Sequence, residues 1–206
     1  MKEFFRKFSE VLESKLMPVA DKIGKQRHLA AVKDGMLAYV SFTIIASVFL
    51  IIAYIPIPAY ENFITSILNV ENAGVWQGKL IYVSNATMDV GALYVLIAAT
   101  YSLAKYYNTD KLQATLTSLA AFLVVTPYVF GDNGGNIPMT KVGAQAMFLA
   151  IIVSIVSVEV YRKIEQKGIV IKMPAAVPPA VAKPFASIIP AFISITLFYI
   201  VRLTLE

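Results

Sequence analysis

The sequence contains no cysteine, one histidine and one tryptophan, and only 15% of its 206 residues are charged. Lack of cysteine excludes disulfides, thiolate metal sites and thiol nucleophiles. A single histidine leaves zinc-type ligation without a second imidazole. A soluble domain carries about 25% charged residues and about 45–50% apolar ones, whereas here 58% are hydrophobic. That imbalance points to a bilayer as the solvent. The net charge of +5 does not point to nucleic acid, because the basic residues lie between apolar runs rather than in a stripe interleaved with aromatics. Anionic lipid is the partner such a distribution implies. Residues 1–33 are charged throughout and contain no apolar core, so no cleavable signal peptide is expected.

What is present is organised around residues 169–202, a β-branched run that passes through Lys172, Pro174, Pro178, Pro179 and Pro184 into an uncharged apolar stretch ending at Arg202. Five of the ten prolines lie between Pro174 and Pro190. Each removes a backbone donor and clashes with the turn before it, which predicts a broken segment at a membrane surface leading into a last span at 184–201.

In chain order, apolar residues at Phe5, Phe8, Leu12, Leu16, Val19 and Ile23 fall three or four apart among lysines and arginines, the pattern of an amphipathic helix lying in the interface. Residues 35–60 carry no charge and would reach roughly 39 Å as helix, more than the ~30 Å hydrocarbon core. Residues 60–70 read as a surface segment, and Trp76 as an interface marker. Further spans are expected at 80–104, interrupted only by Asp89, at 112–131, and at 142–158 extending to Tyr161. The expected fold is thus all-α and integral to the membrane: about five spans after an amphipathic interfacial helix. Fifteen of the eighteen lysines and arginines fall on one predicted side; only Lys79, Lys141 and Arg202 fall on the other. The basic side faces the cytoplasm, and so does the N-terminus.

Few residues have the means for chemistry. Asp89 is the one charge well inside a predicted span and could bind a solute hydroxyl or an ion, with Asn85 one turn away; alternatively both satisfy broken backbone within the bundle, or the span begins later and Asp89 lies near the outer surface. Asn85-Ala86-Thr87 matches a glycosylation sequon, but its expected burial makes that a chance match. Glu159 is expected to pair with Arg162 and Lys163, and His28 to be structural. Residues 131–136 lack the carboxylate a calcium loop needs at its twelfth position, which counting from Asp132 is Gly143, so they read as a turn or hairpin. No catalytic or metal-binding residue, substrate site or cofactor is identified. Ala146, Ala150, Ser154 and Ser157 form a small-residue stripe suited to packing either within the bundle or between subunits.

Several blocks together resemble the membrane component IIC of phosphoenolpyruvate-dependent sugar phosphotransferase systems, in the lactose, cellobiose and diacetylchitobiose branch. They are residues 16–29 (LMPVADKIGKQRHL) with Asp34-Gly35, 142–148 (VGAQAMF), 158–162 (VEVYR), and 172–186 (KMPAAVPPAVAKPFA) with Ile189-Pro190. The resemblance covers essentially the whole chain but only the first half of such a permease. It implies that residues 1–206 are a scaffold and dimerisation domain, with 1–33 a cytoplasmic amphipathic segment. It also implies a homodimer in a bacterial inner membrane that takes up β-linked disaccharides with the phosphocarrier IIB as partner. At most the chain would be the non-phosphorylated membrane subunit of that complex. The histidine and glutamate that hold the sugar in the family's other half have no counterpart here. Two rival readings are a non-transporting membrane interaction protein from a split or truncated gene, and a small transporter that uses Asp89.

Overall fold

The computed structural model describes residues 24, 26–131, 134–174 and 176–205; the expected amphipathic helix before Ile23 lies outside them. Among the described residues seven α-helices follow in order: α1 (Arg27–Ala53), α2 (Pro58–Ile67), α3 (Ala73–Thr87), α4 (Gly91–Tyr107), α5 (Lys111–Val125), α6 (Met147–Gln166) and α7 (Pro179–Leu205). A small hairpin, β1 (Val129–Gly131) and β2 (Gly134–Asn136), pairs Phe130 with Gly135, as the glycine and asparagine content of that stretch predicts. Among the described residues four helical stretches are long and apolar enough to cross a membrane.

The core sits around α4, which packs against α1, α5 and α6. Its buried residues are small or medium: Gly91, Ala92, Val95, Leu96, Ala99, Thr100, Leu103 and Ala104. Small side chains let helix backbones approach closely where lipid gives no hydrophobic drive between helices. The stripe that begins just before α6 and continues along it serves this same purpose. Ala146, Ala150, Ser154 and Ser157 are all buried within the chain, and Ser157 Oγ meets Ser194 Oγ of α7 at 3.2 Å. Packing inside the bundle is therefore the use the structure makes of it, and no face of it is left for a second subunit.

Three expectations need correction, whereas the span expected at 80–104 is present as one apolar stretch, Ala73–Tyr107, jointed at residues 88–90 between α3 and α4. Alongside them α1 runs unbroken, from its contact with Tyr107 at one end to the Gln77 side chain on the Ala53 carbonyl at the other. The expected third span, α5, stops at Val125 because Thr126 precedes Pro127 and takes an extended conformation. At 15 residues it rises only about 22 Å, less than the hydrocarbon thickness. The last helix begins at Pro179 and continues through Pro184 and Pro190, so the break is confined to the residues before it. Pro190 is fully buried and Ser187 donates to the Pro184 carbonyl, the kind of protein environment that makes proline tolerable in a spanning helix. Trp76, finally, is buried rather than displayed at the membrane boundary. Its Nε1 donates to Thr65 Oγ1 at 3.1 Å and its ring meets Tyr60 edge-on, fastening α2 onto α3.

Candidate functional site

Two polar clusters occupy different levels of the bundle. The first lies where α1 begins and α4 and α6 end. Glu159 Oε1 accepts from His28 Nε2 at 2.9 Å, and Glu159 Oε2 accepts from Arg162 Nη2 at 2.6 Å. Lys163 Nζ stands 3.8 Å from the same oxygen, so the expected pairing of Glu159 with Arg162 and Lys163 is present. Tyr107 closes the group: its hydroxyl is 3.2 Å from His28 Nε2, and the Arg162 guanidinium lies 3.9 Å from its ring centroid. Arg27 stands at 5.2 Å from the same ring. A carboxylate with its oxygens taken by two or three donors is neither a free base nor a nucleophile; it is a joint. This one ties α1, α4 and α6 together.

Nearly two turns further along α1, Asp34 Oδ2 accepts from Ser102 Oγ at 2.5 Å and from the Tyr106 hydroxyl at 3.1 Å. Beside it a Cβ at Gly35 would fall 2.8 Å from the Ala99 Cβ. The Asp34-Gly35 pair thus works as a unit: the carboxylate grips α4 and the glycine lets α4 come close.

The second cluster surrounds the gap between α3 and α4. Tyr39 donates to the Met88 carbonyl at 3.2 Å. With its amide nitrogen turned toward Asp89, Asn85 donates to Asp89 Oδ2 at 3.1 Å and to the Ile81 carbonyl at 3.3 Å. Asp89 and Asn85 are both exposed, so the sequon is not buried as expected, but its asparagine is engaged by Asp89. The 3₁₀ turns Met139–Lys141 and Ala144–Ala146 dock on the gap, with the Ala92 amide donating to the Val142 carbonyl at 3.0 Å. A hollow of about 350 Å³ remains between Tyr39, Asp89, Thr140 and Gln145. Gly143 underlies it, because a Cβ there would stand 2.7 Å from the Asp89 carbonyl oxygen. Gly143→Ala is therefore expected to cost about 1.5 kcal/mol by overpacking. Thermal unfolding should show a midpoint lower by roughly 3–6 °C; an unchanged midpoint would mean that the docked turn yields freely.

Among the described residues no group of three or more metal-ligating side chains occurs. Sequence reasoning missed the His28–Glu159 contact, which joins residues 131 positions apart. A signal was present all the same: the histidine and the glutamate each sit in a separate block that carries the family resemblance.

Those blocks and this fold agree with known proteins. Residues 33–206 match the model of the family described as Phosphotransferase system, EIIC. The chain belongs to that family. It is 43% identical to the cellobiose-specific EIIC component of the phosphotransferase system of Geobacillus stearothermophilus, over 97% of this chain and 46% of that protein. It is 40% identical to the lichenan permease IIC component of Bacillus subtilis, with the same coverage. The crystal structure of the transporter ChbC, the IIC component from the N,N'-diacetylchitobiose-specific phosphotransferase system, superposes with a TM-score of 0.86 at 41% identity. That match covers 95% of this chain and 46% of that one. This EIIC chain thus spans about half the length of the curated relatives it matches, and with its several apolar helices it is a multi-pass membrane protein.

Proposed function

We propose that these residues form the scaffold and dimerisation half of a permease that takes up β-linked disaccharides of the cellobiose, chitobiose or lactose type. In this reading they sit in a bacterial cytoplasmic membrane with the N-terminus inside, the sugar binds to a further half, and the phosphocarrier IIB delivers the phosphoryl group at the cytoplasmic face. The observation that carries the reading is the 43% identity to a cellobiose-specific component, sustained along 97% of this chain. The chemistry of the two clusters is consistent with a structural half. Glu159 and Asp34 are committed to neighbouring helices, and the sequence has no cysteine to carry a phosphoryl group. Orientation rests on the ends of the bundle. Lys105, Lys111, Arg162, Lys163 and Lys183 lie where His28 meets Glu159 and Lys183 approaches Asp110, and positive charge is retained on the cytoplasmic side.

The test is uptake of radiolabelled cellobiose by cells that lack their own permease but hold the soluble phosphotransferase components. Expression of residues 1–206 alone should give background uptake. Co-expression with the carboxy-terminal half of a cellobiose-specific relative should restore phosphoenolpyruvate-dependent accumulation. Robust uptake by residues 1–206 alone would overturn the division of labour and return Asp89 to consideration as a solute ligand.

A further inference from the structure

At the lysine-rich end of the bundle the first turns of α5 and α7 converge on a hollow of about 500 Å³ lined by Tyr101, Thr109, Asp110, Lys111, Gln113 and Lys183. At such ends the helix dipole is positive, and although Asp110 caps the Gln113 amide and the Pro178 carbonyl takes the Val181 and Ala182 amides, two such ends beside two lysines favour an anion. A further observation points the same way. Thr109 is 6% exposed, lines this hollow, and its buried Oγ1 has no hydrogen-bond partner.

Asp110 is the one carboxylate in the lining, and its charge is already met. One oxygen accepts from the Gln113 amide at 3.0 Å and the other lies 3.6 Å from Lys183 Nζ. Glu165 faces Asp110 from α6 and does not line the hollow. Lys111 remains over the Tyr101 ring, its Nζ 5.7 Å from the centroid.

The surface below the hollow is apolar. Ile97 and Tyr101 on α4, and Leu112 and Leu116 on α5, are 40%, 50%, 63% and 50% exposed. Each pair is four residues apart and so shares a helix face. Together they make a strip that leaves the polar hollow and descends along the spanning helices. A free phosphate would use the hollow and ignore the strip; a phospholipid uses both.

We propose that this is a binding site for an anionic phospholipid, with the headgroup phosphate held between the first turns of α5 and α7 by Lys111, Lys183 and Thr109, and an acyl chain along Ile97, Tyr101, Leu112 and Leu116. The inference requires that these helices span a bilayer with the strip turned to lipid rather than to the further half or a second subunit, so its failure would leave the permease reading intact. Lipid retention by the full 206-residue chain in neutral detergent, followed by native mass spectrometry, tests it. Phosphatidylglycerol, phosphatidylcholine and inorganic phosphate are added separately and in competition. A lysine near a membrane surface contributes about 1 kcal/mol toward an anionic headgroup, roughly fivefold in affinity. Lys183 is already paired with Asp110, so phosphatidylglycerol should bind about fivefold more tightly than phosphatidylcholine. Lys111→Gln combined with Lys183→Gln should abolish that preference, while Lys141→Gln at the other end of the bundle should leave it. Equal binding of the two lipids by the wild-type chain would overturn the proposal. So would a preference that survives in the double variant, or displacement of phosphatidylglycerol by millimolar inorganic phosphate, which would identify a free-anion site. Should the double variant not fold, the competition on the wild-type chain decides by itself.

Discussion

Gly35→Val is expected to leave little or no folded chain. A Cβ at this position would stand 2.8 Å from the Ala99 Cβ and 3.0 Å from both the Ala99 nitrogen and the Val95 carbonyl oxygen. Two of those atoms are backbone, so α4 as a whole must move. Overpacking by even a few methylenes costs about 1–3 kcal/mol, and a branched side chain here places two further methyls beyond a Cβ that already collides. Gly35→Ala sets this cost against the roughly 1 kcal/mol by which alanine surpasses glycine in a helix, and the collision should still win. The informative control is Gly78 in α3, where an added Cβ meets nothing within 4 Å. Gly78→Ala should stabilise by about 0.5–1 kcal/mol through helix propensity alone. Thermal unfolding monitored by size exclusion in detergent reads both. If the two alanine variants shifted the midpoint in the same direction, close approach of α1 and α4 would not be what Gly35 provides.

Glu159→Ala is the second large effect. The Glu159 and Arg162 side chains are 18% and 20% exposed, and Arg162 Nε already lacks a partner. Removing one member of a fully buried pair costs about 3–5 kcal/mol because the other charge is left uncompensated; partial exposure here reduces the expected loss to about 2 kcal/mol. For a chain of this size that is a drop of roughly 4–8 °C in midpoint. Glu71→Ala, at an exposed position, should change little. His28→Ala and Glu159→Ala should be clearly non-additive, since both remove the 2.9 Å contact. If Glu159→Ala behaved like Glu71→Ala, the joint between α1, α4 and α6 would carry no weight.

The membrane character of the fold and its basic end were legible because both are properties of composition along a line: uncharged runs at residues 35–60 and 184–201, lysines and arginines between them. Helix ends were less so. Asp89 was visible as an interruption, yet the gap at residues 88–90 depends on Tyr39 and on the docked turn at Gly143, neither of which is a local neighbour. Pro184 and Pro190 read as breaks because proline opposes a helix in isolation, whereas the bundle packs around them and keeps α7 continuous. Trp76 was misplaced for the same kind of reason, since nothing local says that α2 folds over it. The clusters were legible only as motif blocks. His28, Asp34-Gly35, Gly143 and Glu159 all fall in those blocks, and the structure supplies what a motif cannot: His28 belongs with Glu159, Asp34 with Ser102, Gly35 with Ala99 and Gly143 with Asp89.

The gap at residues 88–90 also bears on how the chain is built into a bilayer. Ala73–Thr87 and Gly91–Tyr107, at 15 and 17 residues, rise only about 22 and 26 Å, so neither reaches across ~30 Å of hydrocarbon unaided. Arg27–Ala53, at 27 residues, rises about 40 Å and does. During synthesis the first helix can therefore partition into lipid by its own length, while the jointed pair must enter together and lean on it. At the joint the Met88 carbonyl accepts from the Gly91 amide and from the Tyr39 hydroxyl, so the template supplies a second donor where the regular helix ladder is interrupted.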